Sequence, residues 1–275
     1  MNIAVDGVNI FVATGGCAFD PKKPTVVFVH GSGLDHRSWA LQARWFAFHG
    51  FSVLAPDLPG HSLSEGEALK SIESMGKWLV KAIKHSGAES VHLVGHSQGF
   101  LVALEAAALL EDKLKSLTAV ASASSIPVNE SLIETAKKNT VDAADMLLKW
   151  GFGSRSHSGS SAVPGMQPIG IGRQIMSKNP LAEDLLACNK YKNGISCTKT
   201  IKAPTNVIVA TEDKNTPYKF GLELAELLGA ETTTISGAGH MLPIEAPKST
   251  LDAVSYTHLR AHETKANLVC RLLLE

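Results

Sequence analysis

One serine in this sequence has neighbours that would suit it to nucleophilic attack on a carbonyl carbon. Ser97 lies between Gly95 and Gly99 in the segment VHLVGHSQGF, after an apolar run and before an alanine-rich helical pattern. A serine on a sharp turn between a strand and a helix exposes its hydroxyl at the helix N-terminus, where the dipole favours a developing negative charge. Side chains at the flanking glycines would collide with the adjoining strand and helix. The pattern therefore predicts Ser97 as a nucleophile.

Such a nucleophile needs a base, and the base needs an acid to orient it. His240 follows the strand pattern Glu231–Gly237 in a loop that contains glycine, and Asp213 follows the strand pattern Thr205–Thr211. Functional groups converge at the carboxyl edge of an open parallel sheet, which favours these two side chains as base and acid. Glu212, directly before the aspartate, remains the rival acid.

Attack on a carbonyl also creates an oxyanion, which must be stabilised by N–H donors. We predict the backbone N–H of Gln98, the residue after the serine, as one donor. The second is the backbone N–H of Ser32, in the glycine-containing turn after the strand pattern Thr25–Gly31. Loss of one such donor typically lowers turnover by about 10²–10³.

The order of elements predicts how these residues are positioned. Apolar strand patterns alternate with helical patterns along most of the chain, which indicates a parallel sheet covered by helices on both faces. Residues 127–202 break the alternation with helical patterns around a Gly/Ser/Pro-rich stretch. We therefore predict an α/β core formed by residues 1–126 and 203–253, with residues 127–202 inserted as a mostly helical cap.

The cap is expected to roof a substrate pocket with apolar side chains. Trp150, Met166 and Met176 are its candidate lining residues. Gly33, His36 and Met241 are the candidates from the loops of the core, with Gly33 beside the predicted oxyanion donor and His36 at the border of the pocket.

Composition argues against several other functional classes. The 26 Lys and Arg residues balance the 26 Asp and Glu residues, so net charge gives no reason to expect nucleic acid or an anionic membrane as a partner. We find neither a secretory signal pattern at the N-terminus nor an apolar run of bilayer length. The four cysteines have no metal-ligand spacing and predict free thiols in the cytoplasm. We expect no metal, and a monomer or small homo-oligomer.

We interpret the last segment, residues 254–275, as encoded by DNA of a different origin from the rest of the chain. Its first part, VSYTHLRAHET, resembles the in-frame translation of a transposon-type sequencing adapter, and LVCRLLLE resembles the translation of the adapter's distal primer segment. We predict that the native chain is cut near Ala253 and that the remainder is read-through of library DNA. His258, His262 and Cys270 are accordingly assigned no function.

Taken together, these motifs resemble the α/β-hydrolase superfamily, specifically its single-domain bacterial serine hydrolases with a helical cap. The resemblance spans about residues 1–253. Its motifs are His30-Gly31, the DLPGH segment from Asp57 to His61, the turn around Ser97, the DKNTP segment from Asp213, and Gly239-His240. It implies the α/β-hydrolase fold with an eight-stranded, mostly parallel sheet, a triad of Ser97, His240 and Asp213, and no cofactor.

One position departs from the family pattern. Ser62 stands where the family usually has glycine after the DLPGH segment. This position shapes a turn in the family, so the departure concerns backbone geometry rather than chemistry.

The prediction is thus a cytoplasmic serine hydrolase of the carboxylic ester hydrolase type, acting on a small ester or lactone through an acyl-enzyme. Two alternatives share the architecture, namely hydrolysis of a carbon–carbon bond in a ring-cleavage product and cofactor-free perhydrolysis. A third, from another class, is a non-catalytic protein that closes its cap over a ligand. An aspartate nucleophile, as in dehalogenases or epoxide hydrolases of this fold, is disfavoured because residue 97 is serine.

Overall fold

A computed structural model describes residues 1–161 and 163–262, with side chains in the last helix described as far as Ser255. Within these residues, eight strands form one sheet in the order β1-β2-β4-β3-β5-β6-β7-β8. Strands β1 and β2 are antiparallel to each other, β2 is antiparallel to β4, and all other neighbours are parallel. The predicted eight-stranded, mostly parallel sheet is confirmed. The strands are β1 (Asn2–Val5), β2 (Val8–Ala13), β3 (Thr25–Val29), β4 (Ser52–Pro56), β5 (Val91–His96), β6 (Leu114–Val120), β7 (Thr205–Ala210) and β8 (Glu231–Ile235).

Helices cover both faces of the sheet, because the central strands are apolar on both sides. The residues of β3, β4 and β5 are all buried, whereas most residues of the edge strand β8 are not. The helices of the core are α1 (Ala40–Phe48), α2 (Ile72–Ser86), α3 (Gln98–Leu110), α10 (Tyr218–Leu228), α11 (Leu242–Glu245) and α12 (Pro247–His262). One face of the sheet packs mainly against α2, α3 and α10, and the other packs against α1 and α12.

The described residues between β6 and β7 form six helices joined by loops and no strand, in the range predicted as the cap. Its helices are α4 (Glu130–Lys138), α5 (Thr140–Gly151), α6 (Ser154–His157), α7 (Pro168–Met176), α8 (Leu181–Lys190) and α9 (Gly194–Thr198). Apolar side chains of α4, α5, α7 and α8 share a cluster with Leu34 and Met241 from loops of the core and with Ile244 of α11. The cap helices therefore pack on the loops that follow β3 and β8.

The last helix includes part of residues 254–275, the segment predicted to be read-through. Helix α12 continues past the predicted boundary near Ala253, and both Ala253 and Val254 are buried in the cluster beneath the sheet. Residues 263–275 of the predicted read-through lie outside the described part of the chain. Among the helices of that described part, none has the length and apolarity needed to cross a bilayer.

Candidate active site

The predicted nucleophile occupies a strained turn between a strand and a helix. Strand β5 ends at His96, α3 begins at Gln98, and Ser97 between them has φ 54° and ψ −122°. A non-glycine residue in this region of backbone space costs on the order of 1–3 kcal/mol and persists only where the surroundings enforce it. A Cβ at Gly95 would overlap the backbone of the first turn of α3, and one at Gly99 would overlap the end of β3. The glycines are therefore required by close packing on both sides of the serine.

The predicted base and acid lie in hydrogen-bond contact. His240 Nδ1 is 2.9 Å from Asp213 Oδ2, and both side chains are buried. The backbone N–H groups of Asn215 and Thr216 donate to Asp213 Oδ1, at 2.9 and 2.8 Å. Burial raises the pKa of Asp213, but the adjacent His240 and these hydrogen bonds outweigh it and hold the pKa below its usual value. The acid is thus kept ionised beside the imidazole.

Thr216 is a member of this group that the sequence analysis did not single out. Its hydroxyl lies 2.8 Å from Asp213 Oδ2, 3.1 Å from His240 Nδ1 and 3.0 Å from the carbonyl oxygen of Ala121. The hydroxyl thus links the acid and the base to the end of β6. The only sequence signal was its place before Pro217, at the start of α10.

The rival acid points elsewhere. Glu212 accepts hydrogen bonds from the backbone N–H and the hydroxyl of Ser154, at 2.6 and 3.1 Å. Its carboxylate therefore holds the start of α6 in the cap. The geometry favours Asp213 as the partner of His240.

Ser97 and His240 line the same cavity, of about 210 Å³. Among the described residues, no hydrogen bond joins the Ser97 hydroxyl to the imidazole, and such contacts are often long until substrate binds. The backbone carbonyl of Ser97 accepts a hydrogen bond from the Ser122 hydroxyl at 2.9 Å, which supports the strained turn from β6.

The two predicted oxyanion donors have free backbone N–H groups within the described part of the chain. Ser32 lines the cavity, and Gln98 N–H lies at the first residue of α3, directly after the serine. The Gln98 side chain is buried, with its Nε2 3.4 Å from the carbonyl oxygen of Asp184. Gln98 is not among the residues that line the cavity, so its side chain does not enter it.

The remaining wall of the cavity is mostly apolar and comes largely from the cap. Trp150, Met176 and Met241, three of the predicted pocket residues, line it. Apolar residues that it did not name also line the cavity, among them Leu34, Leu132, Leu147, Leu148 and Leu185.

Three of the predicted pocket residues lie outside the cavity, which corrects the expected lining. The His36 imidazole is 2.8 Å from Asp57 Oδ1 and is held away from the cavity by this carboxylate. Gly33 turns its N–H to Asp184. Met166 packs against the apolar interior of the cap instead.

One cluster in the described residues could in principle offer metal ligands. Donor atoms of Asp35, His36 and Asp57 lie within 4.8 Å of one another. Each carboxylate is already in use, since Asp35 forms an ion pair with Arg37 at 2.6 Å and Asp57 accepts from the imidazole and the backbone N–H of His36. This cluster is better explained as the bracing of the turn after β3.

Comparison with known proteins identifies the class to which this fold belongs. A family model of the alpha/beta hydrolase fold matches residues 24–147. The crystal structure of the enol-lactonase from Burkholderia xenovorans LB400 superposes with a TM-score of 0.83 at 22% identity, covering 94% of this chain and 100% of that one. The chain has the α/β-hydrolase fold.

Two relatives are similar in sequence as well. A Mycoplasma pneumoniae protein with a provisional esterase/lipase name is 25% identical over 254 residues, which cover 86% of this chain and 90% of the relative. The pimeloyl-(acyl-carrier protein) methyl ester esterase of Methylococcus capsulatus is 33% identical over 111 residues, 40% of each chain. Relatives and structural neighbours with esterase or hydrolase names support an enzyme of the carboxylic ester hydrolase class.

Proposed function

We propose that this protein is a serine hydrolase that cleaves a small carboxylic ester or lactone through an acyl-enzyme. The observation that carries the proposal is that Ser97, on its strained turn, and His240, bonded to Asp213, line one cavity of an α/β-hydrolase fold. The relatives named as esterases and the structural neighbour named as an enol-lactonase favour ester or lactone substrates.

In the proposed reaction, the Ser97 hydroxyl attacks the carbonyl carbon while His240 Nε2 takes its proton. Asp213 keeps the proton of His240 on Nδ1 and stabilises the imidazolium that forms. The imidazolium then gives its proton to the departing alcohol oxygen, and the C–O bond breaks. Water activated by the same imidazole attacks the acyl-enzyme and releases the acid. No metal or cofactor takes part in this proposal.

The backbone N–H groups of Ser32 and Gln98 would receive the oxyanion of each tetrahedral intermediate. They fit this role because neither is used by another group in the described residues. Fixed donors of this kind act mainly in the transition state, so they raise turnover more than they tighten substrate binding.

The cavity supports a small substrate with an apolar part. A volume of about 210 Å³ under apolar side chains from the cap suits a short acyl or alcohol group, or a compact lactone ring. We expect turnover of p-nitrophenyl esters to fall as the acyl chain outgrows this space, because longer chains must displace the packed cap.

A fluorophosphonate probe tests the nucleophile directly, since it reacts covalently with activated serines. Wild type should label, Ser97→Ala should not, and Ser196→Ala, which changes an exposed serine of α9, should label like wild type. An initial burst of p-nitrophenol should accompany ester hydrolysis. A wild type that neither labels nor turns over esters and lactones would contradict the proposal and leave the non-catalytic ligand-binding alternative.

A further inference from the structure

A buried carboxylate of the cap reaches the loop that carries one proposed oxyanion donor. Asp184 lies on α8, and its side chain is 0% exposed. Its Oδ2 accepts the backbone N–H of Gly33 at 2.7 Å, and Gly33 directly follows Ser32. The same oxygen lies 3.0 Å from Nε2 of His61, in the loop after β4. One oxygen of the cap therefore joins two loops of the core.

A second side chain of the cap binds the backbone carbonyl of Gly33. Asn179 Nδ2 donates to the carbonyl oxygen of Gly33 at 3.0 Å, and Asn179 Oδ1 accepts the backbone N–H of Ser62 at 2.9 Å. Gly33 has φ 65°, and a Cβ there would come within 2.8 Å of the Leu181 side chain. The N–H and the C=O of Gly33 are thus both fixed by cap residues, at a position whose positive φ favours glycine.

The residue that carries the other proposed donor contacts the same cap residue through its side chain. The side-chain Nε2 of Gln98 lies 3.4 Å from the backbone carbonyl oxygen of Asp184. Asp184 therefore contacts Gln98 by its carbonyl and the Gly33 peptide by its carboxylate. Gln98, which carries one proposed donor N–H, and Gly33, the neighbour of the residue that carries the other, are therefore both held by Asp184 of α8.

The partner of this carboxylate is a charged imidazole. His61 Nδ1 lies 3.1 Å from the carbonyl oxygen of Pro59 while Nε2 faces Asp184, so both ring nitrogens face acceptors and both must carry protons. Burial lowers the pKa of His61, but the charge and hydrogen bond of Asp184 outweigh it and raise the pKa. The other ionisable groups that face it are His30, with ring centroids 5.0 Å apart, and Asp57.

We propose that Asp184 is a positioning residue, which fixes the Gly33 peptide from the cap and thereby aims the Ser32 N–H at the substrate oxyanion. This inference rests on the proposed function, since it assigns a role in the same reaction. Under this proposal the oxyanion site is complete only when α8 packs against the core. The position of the cap therefore determines whether the enzyme can catalyse the reaction. Because the N–H and the C=O of Gly33 are both held, the preceding residue has less freedom to rotate the Ser32 N–H out of line.

The test compares Asp184→Asn with Glu183→Gln, a matched control that neutralises an exposed carboxylate one residue away on α8. Without the carboxylate, a neutral His61 has one N–H for two acceptors, and the contact to Gly33 weakens. We expect kcat for a p-nitrophenyl ester to fall about 10-fold with KM changed less than about 2-fold, because the oxyanion forms only in the transition state. Affinity for a trifluoromethyl ketone, which forms a tetrahedral oxyanion adduct, should fall by a similar factor. The Glu183→Gln variant should match wild type.

Thermal denaturation separates this role from a merely structural one. Loss of activity in proportion to loss of folded protein, or kcat equal to that of Glu183→Gln, would overturn the inference. Should Asp184→Asn fail to fold, His61→Gln decides, because it removes the charge that holds Asp184 ionised against Gly33 while its amide keeps a neutral donor that preserves folding. It should lower kcat with KM unchanged, and wild-type kcat in this variant would overturn the inference. An inactive wild type would instead refute the proposed function itself.

Discussion

The imidazole Nε2 of His96 lies 2.8 Å from the backbone carbonyl oxygen of His240, so the residue before the proposed nucleophile holds the backbone of the proposed base. Burial and, to a lesser extent, the neighbouring His240 lower the pKa of His96 to about 3. A neutral imidazole that faces a carbonyl oxygen must carry its proton on the facing nitrogen. This bond joins the end of β5 to the loop after β8 and helps to set the separation of Ser97 from His240.

The depressed pKa of His96 predicts a specific loss of stability in acid. An unfolded chain binds a proton at this histidine near pH 6.5, whereas the folded protein resists it down to about pH 3. The contribution of His96 is therefore present above about pH 6.5 and is lost as the pH falls below it. His96→Asn removes this titration and keeps an amide donor.

Urea denaturation from about pH 7 to about pH 4 measures the effect as a difference between wild type and this variant. Because both proteins share every other titrating group, the excess stability of wild type should shrink as the pH falls. A difference that stays constant over this range would contradict the assigned state of His96.

The second prediction separates the two neighbouring acids. Asp213→Asn should lower kcat by about 10³–10⁴, because the amide no longer holds His240 in the productive tautomer. Glu212→Gln should lower kcat less than about 3-fold, since Glu212 contacts the cap at Ser154 and not the imidazole. Steady-state kinetics on one ester measures both. Equal losses in the two variants would contradict the assignment.

The third prediction concerns the packing of the turn. Gly95→Ala places a methyl group against the backbone of α3 and should destabilise the fold by about 3 kcal/mol or more. Gly170→Ala is the control, because its Cβ meets nothing closer than Gln167 at 3.7 Å and it lies within α7. The control should gain up to about 1 kcal/mol from helix propensity. Denaturant midpoints compare the two, and similar stability would show that the turn tolerates a side chain.

The fourth prediction follows from the departure from the family pattern at Ser62. Ser62 has φ 47°, a left-handed conformation in which glycine is favoured. Ser62→Gly should raise the free energy of unfolding by a few tenths to about 1 kcal/mol. The backbone strain that glycine relieves in the folded state exceeds the stabilisation that its added conformational entropy gives the unfolded state. Ser196→Gly, in α9, should instead lower it by about 0.5–1 kcal/mol. A loss in Ser62→Gly as large as in the control would contradict the argument.

The fifth prediction locates where the C-terminal helix stops contributing to the fold. Truncation after Ser255 keeps the buried Val254, so Tm should change by less than about 3 °C. Truncation after Asp252 removes Ala253 and Val254 from the cluster beneath the sheet. It should lower Tm by more than about 5 °C, because burial of a valine contributes about 1.5–3 kcal/mol. Equal melting temperatures for the two truncated proteins would contradict the prediction that Ala253 and Val254 are the last residues to stabilise the fold.

The cloned nucleotide sequence decides the origin of residues 254–275. Codons identical to the adapter would support read-through, and codons unlike it would refute that interpretation.

Much of the architecture was determined by local sequence. The alternation of apolar strand patterns with helical patterns predicts a parallel sheet, because strands buried on both faces need apolar residues throughout. The turn around Ser97 could be located because a close strand-to-helix turn excludes side chains at Gly95 and Gly99. His240 and Asp213 could be proposed as partners because each follows a strand pattern and parallel strands end at one edge.

The tertiary structure decided what depends on the path of the chain between distant residues. It placed Glu212 on the cap rather than on the imidazole, and it moved His36 out of the cavity to Asp57. The contact of His61 with Asp184 joins residues 123 positions apart, and neither side chain carries a local signal for it. Such contacts arise only when the cap helices pack on the core loops, and a sequence pattern of a few residues cannot encode which distant groups then meet.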